Sequence, residues 1–209
     1  MQLLLSSAYL PPVDYFAAIA RYGGALVEAC ENYQKQSYRN RCTILTANGK
    51  MNLNIPVLRG GENLSHSVPI TEIQIDYQEN WPIRHIRAME AAYMNSPFFE
   101  YYIDDISAIL LRKEKSLFTL NLELTKLLLG FCGIKAEIGL TTVFVADYKD
   151  TAVDLRSRIH PKSKLPSLLA EWKKEKPWWQ VFAPQGFVSG LSIVDLLFNE
   201  GPNAISFLV

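Results

Sequence analysis

The stretch with the most evident chemistry reads Tyr33, Gln34, Lys35, Gln36, Ser37, Tyr38, Arg39, Asn40, Arg41. Side chains alternate between faces in an extended chain, so Lys35, Ser37, Arg39 and Arg41 are expected on one side, as three cations and a hydroxyl. Such a row suits a phosphate or carboxylate. Arginine is the stronger clue, because its planar fork binds an anion bidentately where lysine acts as a point charge. The pattern fits equally an edge strand whose cations face water and guard against aggregation. A second run, Arg156, Arg158, His160, Lys162 and Lys164, also falls at every second position. Pro161 and Pro166 favour a solvated charged loop there over regular sheet, and its role stays open.

Among groups able to move a proton, His85 stands first. It is expected on a helix, one turn after Trp81 and one before Met89, along a partly apolar stripe. A neutral imidazole near its reference pKa of about 6.5 accepts a proton at neutral pH, so His85 is a candidate general base. A core histidine bonded to a carboxylate is the competing reading. His66 and His160 fall in expected loops, while Glu28 and Glu31, near a strand end, would serve as base equally well. No phosphate-loop, dinucleotide-fingerprint, paired-histidine zinc or nucleophile-elbow motif occurs. Cys30, Cys42 and Cys132 are odd in number and lack metal spacing, so neither a disulfide framework nor a metal site is expected, and no cofactor is specified.

The elements that must position these groups begin with Gln2–Ser6, expected as a strand. Tyr9 to Pro12 forms a rigid turn, since each proline fixes its own φ and restricts its predecessor. Asp14–Tyr22 follows as a helix stopped by Gly23 and Gly24, and Ala25–Glu31 as a second strand parallel to the first. Ligands of open parallel sheets collect at the carboxyl ends of the strands, so Ser6 and Tyr9 of the first turn join Lys35, Arg39 and Arg41 as candidate ligand-binding residues. Cys42–Leu45 and Met51–Val57 flank Asn48 and Gly49, a favoured pair for a two-residue hairpin turn. Arg59–Val68 reads as a polar loop bearing Gly60, Gly61 and His66, and Ile70–Ile75 as a half-exposed strand. Helical spacing then runs from Trp81, from the Ser96 and Pro97 start, and from Ser116 to near Gly133. Ala136–Ala146 is expected as a strand. Trp178 and Trp179 precede a short apolar helix over Leu191–Asn199, where Ser192 and Asp195 have capping-box spacing. The class is therefore α/β, with a mixed sheet in the N-terminal half and a more helical C-terminal half, in a single domain over residues 1–209.

Lysine plus arginine equals aspartate plus glutamate at 21 each, which provides no global field for nucleic acid or an anionic membrane. No run approaches the roughly 20 apolar residues that span a bilayer, and Leu3–Leu5 is too short for a signal-peptide core. A cytoplasmic protein with a small phosphate- or carboxylate-bearing ligand is expected.

The chain resembles the WbqC-like family of bacterial proteins. The resemblance is carried by Tyr9, Leu10, Pro11, Tyr15 and Phe16; by Tyr33 and Lys35 before Asn40 and Arg41; by Ile55, Pro56 and Val57; by Ser96, Pro97, Phe98, Phe99 and Glu100; and by Leu191–Asn199 with Gly201. It implies a cytoplasmic role in surface-polysaccharide (O-antigen type) or sugar-nucleotide modification, as a transferase acting on an activated sugar or related phosphate-bearing donor. The alternative is a non-catalytic protein that binds such a ligand or acts as a scaffold. The chain departs from the family pattern at Ser6 and Ser7, where members often have glutamine and proline. It departs again at Ala29 and Cys30, where acidic residues are common.

Overall fold

The computed structural model describes residues 1–58, 68–149, 151–183 and 186–209, so the expected loop with Gly60, Gly61 and His66 lies outside the described residues. Leu3, Leu4 and Leu5 are buried in β1 (Gln2–Ser6). After Pro11 and Pro12 the chain enters α1 (Val13–Tyr22), which buries Phe16 and Ile19. Gly23 ends that helix at φ 75°, donating its N–H to the Ile19 carbonyl, a left-handed position that glycine takes without steric cost. The chain returns in β2 (Gly24–Glu28), parallel to β1 with Leu4 opposite Leu26 and Ser6 opposite Glu28.

β3 (Arg41–Thr46) and β4 (Gly49–Asn54) form an antiparallel ribbon of their own. Thr46 pairs with Gly49, which makes Ala47 and Asn48 the turn, one residue earlier than the Asn48–Gly49 pair suggests. Gly49, at φ 92°, occupies the left-handed position that bulged hairpins reserve for glycine directly after the turn. Ile70–Ile75 is not a strand. It opens with a 3-10 turn over Ile70–Glu72, which places Ile70 and Ile73 three apart on one buried side, and it meets its neighbours through isolated bridges, Val57–Ile75 and Gln74–Ser116, not a ladder.

Three helices follow: α2 (Trp81–Tyr93), α3 (Phe99–Leu111) and α4 (Leu117–Phe131). Ser116 caps α4, accepting from the Thr119 N–H at 3.2 Å. Ser96 does not cap α3. Phe98 holds that position, its N–H bonded to the Phe198 carbonyl at 3.0 Å, while Ser96 and Pro97 form the turn before it.

The expected strand over 136–146 contracts to β5 (Glu137–Leu140), parallel to β2, and β6 (Ala152–Asp154) lies parallel to β1 on its other side. The order β5-β2-β1-β6 is parallel throughout, so all four carboxyl ends meet along one rim. α5 (Leu168–Glu171) is a single turn, and α6 (Ile193–Glu200) is buried from Ile193 to Asn199, packing on α1, α3 and β3. Ser192 caps α6, but Asp195 does not complete a capping box, because the Ser192 N–H donates to the Thr43 carbonyl at 2.8 Å.

The basic stretch is not extended. Residues 35–40 form turns and bends, with Gln36 at φ 57° and the Ser37 hydroxyl donating to the Gln34 carbonyl at 2.6 Å; strand structure begins only at Arg41. Its carbonyls are claimed by distant partners, Tyr38 by the Tyr9 N–H at 2.9 Å and Arg39 by the Asn121 side chain at 2.8 Å. Lys35 is consequently exposed and Arg39 buried, and they no longer share a face.

Candidate ligand site at the sheet rim

The rim brings two buried ion clusters together. At the end of β2, Glu28 is fully buried: one carboxylate oxygen accepts from the Cys30 N–H at 2.9 Å and from the Thr141 hydroxyl at 2.5 Å, the other from Arg156 Nη1 at 2.8 Å. Arg156 also donates to Asp154 and to the Val145 carbonyl, and its guanidinium lies 5.2 Å from the centre of the Phe144 ring and 5.4 Å from that of Tyr148. Burial alone would raise the Asp154 pKa, but the bonds and charge of Arg156 leave it below its ordinary value.

The second cluster is Glu31 and Arg39. Arg39 Nε donates to Glu31 at 2.8 Å, and Nη2 donates both to Glu31 and to the Ser6 hydroxyl, the latter at 2.8 Å. This is the bidentate fork anticipated for an arginine, turned inward onto a carboxylate of its own chain. Two guanidiniums, Arg39 and Arg156, thus face three carboxylates, Glu28, Glu31 and Asp154. The rim clusters together are anionic by one charge.

Beside them lies a cleft of about 490 Å³ of opposite character. Its walls carry Arg41 from β3, Lys50 from β4, and Arg158, His160 and Lys162 from the turn after β6, with Asp14 of α1 as their one carboxylate. The second basic run of the sequence is this turn, a loop as its prolines imply, folded back to face Arg41 of the first run. Arg158 is spent on Glu171 at 3.0 Å. Among the described residues, neither Arg41, Lys50 nor Lys162 has a carboxylate within ion-pair reach, although Lys50 donates to the Ser189 carbonyl at 2.7 Å. His160 Nδ1 accepts from the Lys162 N–H at 3.1 Å, so its ring is neutral with the proton on Nε2. Burial, and then the charges of Arg39, Lys162 and Arg41, hold its pKa below the ordinary value. Asp14 accepts from the Leu168 N–H at 3.0 Å; burial raises its pKa despite this bond.

The residues singled out from sequence separate into four places. Arg41 lines the cleft; Ser6 and Arg39 belong to the rim; Lys35 is exposed and lies outside both. Tyr9 and His85 are buried together, the Tyr9 hydroxyl 2.9 Å from His85 Nδ1 and Trp81 packed on both rings. Burial lowers the His85 pKa to about 4, against the Asn54 backbone carbonyl, which raises it. His85 is not among the residues that line the cleft. Asp14, Lys50 and Asp154 carried no motif, whereas the alternate spacing of 156–164 was a usable signal for Arg158, His160 and Lys162. Among the described residues, no group of three His, Cys, Asp or Glu side chains could hold a metal ion, and no helix is long and apolar enough to cross a membrane.

A parallel α/β sheet with an ion-paired rim and a basic cleft beside it is the setting in which the family match falls. The model of the WbqC-like protein family matches residues 6–165, and the chain belongs to that family. The matched span runs from Ser6 on the rim to Leu165 on the cleft wall. The chain is also similar to the uncharacterized protein Rv1507c of Mycobacterium tuberculosis, 25% identical over 227 residues that cover 98% of this chain and 96% of the other. No solved structure matches.

Proposed function

We propose that the basic cleft binds the phosphate-bearing end of an activated sugar or related donor, and that the protein is a transferase in surface-polysaccharide biosynthesis. One observation carries the reading: Arg41, Lys50 and Lys162 converge, without carboxylate partners among the described residues, on a cavity of about 490 Å³. That volume lies within the roughly 300–1,000 Å³ of small-molecule sites. Charge-assisted bonds to a phosphate contribute roughly 1.5–3 kcal/mol each, and the His160 Nε2–H adds a neutral donor. His160 and Asp14 also supply groups that exchange protons, which a purely electrostatic pocket lacks. In this reading Arg41 keeps the ligand role expected from sequence. Arg39 and Ser6 serve the rim, Lys35 lies outside the site, and His85 and Tyr9 pack the core.

A second reading, binding without turnover, is favoured by the Asp14 oxygens, which already face the backbone N–H groups of Leu168 and Leu169, and by His160 Nδ1, which is occupied by Lys162. Thermal shift and calorimetry against nucleotide sugars and inorganic pyrophosphate test the shared part. Binding should weaken by roughly tenfold or more in Arg41→Ala and in Lys162→Ala. Undiminished binding in both variants overturns the cleft as the phosphate site. Product formation by NMR with amine and hydroxyl acceptors then separates transferase from binder.

A further inference from the structure

A second cavity, of about 230 Å³, opens on the rim between Glu31, Arg39, Phe144, Asp154 and Arg156. Its wall carries two guanidiniums and two carboxylates, and the most accessible of the four is the Asp154 carboxylate, 29% exposed against 9% or less for the others. Arg39 is only 3% exposed, and its Nε and Nη2 are engaged by Glu31 and Ser6; Nη1 has no hydrogen-bond partner among the described residues, so its two N–H donors are what Arg39 has left for the cavity. Asp154 and Glu31 line the same wall, and Phe144 is a half-exposed aromatic ring, 50% accessible.

We infer that this cavity is a binding site for an amine- or hydroxyl-bearing sugar ring, held by Asp154, Glu31 and the open edge of Arg39, with Phe144 against the apolar face of the ring. Each part has its chemistry. A carboxylate accepts from an ammonium or hydroxyl; a fixed guanidinium edge donates to a hydroxyl or carbonyl oxygen; and an exposed aromatic ring buries C–H surface that water covers poorly. Asp154, the accessible charge on this wall, disfavours phosphate, which separates this ligand from the one assigned to the cleft.

A void of about 10 Å³ lies between the two pockets, sharing Tyr38 and Ile159 with the cleft and Arg39 and Arg156 with the rim cavity. It has room for about one water molecule. Ser7, 2% exposed, lines it, and its hydroxyl has no partner. So narrow a junction lets the two pockets hold two molecules, not one threaded through both. The rim ligand is therefore a molecule separate from the one in the cleft, and its assignment does not depend on the function proposed above.

Saturation-transfer NMR on the full chain with glucosamine, and with glucuronate as the control of opposite charge, tests the site. Glucosamine should bind, glucuronate at least about tenfold more weakly. Phe144→Ala and Asp154→Asn should each weaken glucosamine by about tenfold or more while leaving pyrophosphate untouched, and Arg41→Ala should do the reverse. Phe144 is half-exposed, so its substitution does not threaten the fold. No glucosamine binding at tens-of-millimolar concentration, or binding indifferent to both rim substitutions, overturns the inference. Pyrophosphate binding indifferent to Arg41→Ala overturns the cleft instead and leaves the rim site standing.

Discussion

Arg156 Nη1 meets Glu28 Oε2 at 2.8 Å, and because Glu28 ends β2 while Arg156 follows β6, the bond reaches across the carboxyl end of β1 between them. A contact between residues 128 positions apart thereby ties the strands on either side of β1.

Its removal should therefore be felt in global stability. In Arg156→Met the Glu28 carboxylate stays fully buried with only Cys30 and Thr141 as donors, and breaking a buried pair from one side costs about 3–5 kcal/mol. Thr141→Val removes two hydroxyl bonds, the donation to Glu28 and the acceptance from the Ala29 N–H, and should cost about 2–3 kcal/mol. Urea unfolding monitored by circular dichroism reads both. Equal midpoints for Arg156→Met and wild type would show that the bond does not tie the sheet.

His85 predicts an acid sensitivity with a definite sign. Burial lowers its folded pKa to about 4, so between about pH 6.5 and 4 the unfolded chain binds the proton that the folded chain refuses. The associated stability is complete above about pH 6.5 and is lost as pH falls, by about 3 kcal/mol once both states are protonated. Asp14 and Asp195, with raised pKa values, act in the opposite sense, so the difference between wild type and His85→Gln is the quantity to follow. That difference should shrink steadily from neutral pH to about pH 4. A difference that does not change with pH would mean that His85 charges freely in the folded state.

Asp195 secures the C-terminal coil. Its carboxylate accepts from the Tyr93 hydroxyl at 2.9 Å and from Trp178 Nε1 and Gln180 Nε2, each at 2.8 Å, so one buried side chain on α6 fastens both α2 and the segment leading to Ser189 on the cleft wall. Asn at this position turns an acceptor oxygen into a donor amide facing donors, which should cost about 1–3 kcal/mol. Limited proteolysis should show faster cutting near Lys173, Lys174 and Lys176 in Asp195→Asn. Unchanged cutting would place the anchor of the segment elsewhere.

Elements with a strong local period were legible from sequence. The apolar run of β1, the glycine stop of α1 and the Ser116 cap each act within a few residues, and so did the parallel pairing of β1 with β2. Half of the site was legible in the same way, since both basic runs stand out by spacing and by charge. What sequence did not reveal was their pairing. Whether Arg39 serves a ligand or Glu31 depends on a turn at Gln36 whose left-handed φ no residue type announces. Asp14, Lys50 and Asp154 acquire meaning only through contacts made far along the chain. Ser192 and Asp195 had the spacing of a capping box, yet tertiary partners took over the second half of it.

His160 offers a test of the cleft that does not depend on naming the ligand. In the free protein its ring is neutral, held so by burial and by the nearby charges of Arg39, Lys162 and Arg41. An anion seated among these cations offsets their repulsion and accepts from Nε2–H, both of which favour the imidazolium, although protonating Nδ1 forfeits the bond from the Lys162 N–H. Binding should therefore raise the His160 pKa, and by linkage an anion should bind more tightly as pH falls through that range. Sulfate is the probe of choice, because its own charge is constant from about pH 8 to about pH 6, the window in which an imidazole titrates. Following the His160 ring protons by NMR with and without sulfate should show the upward displacement, and His160→Gln should flatten the dependence of sulfate affinity on pH. A His160 titration indifferent to saturating sulfate would place the anion outside the cleft.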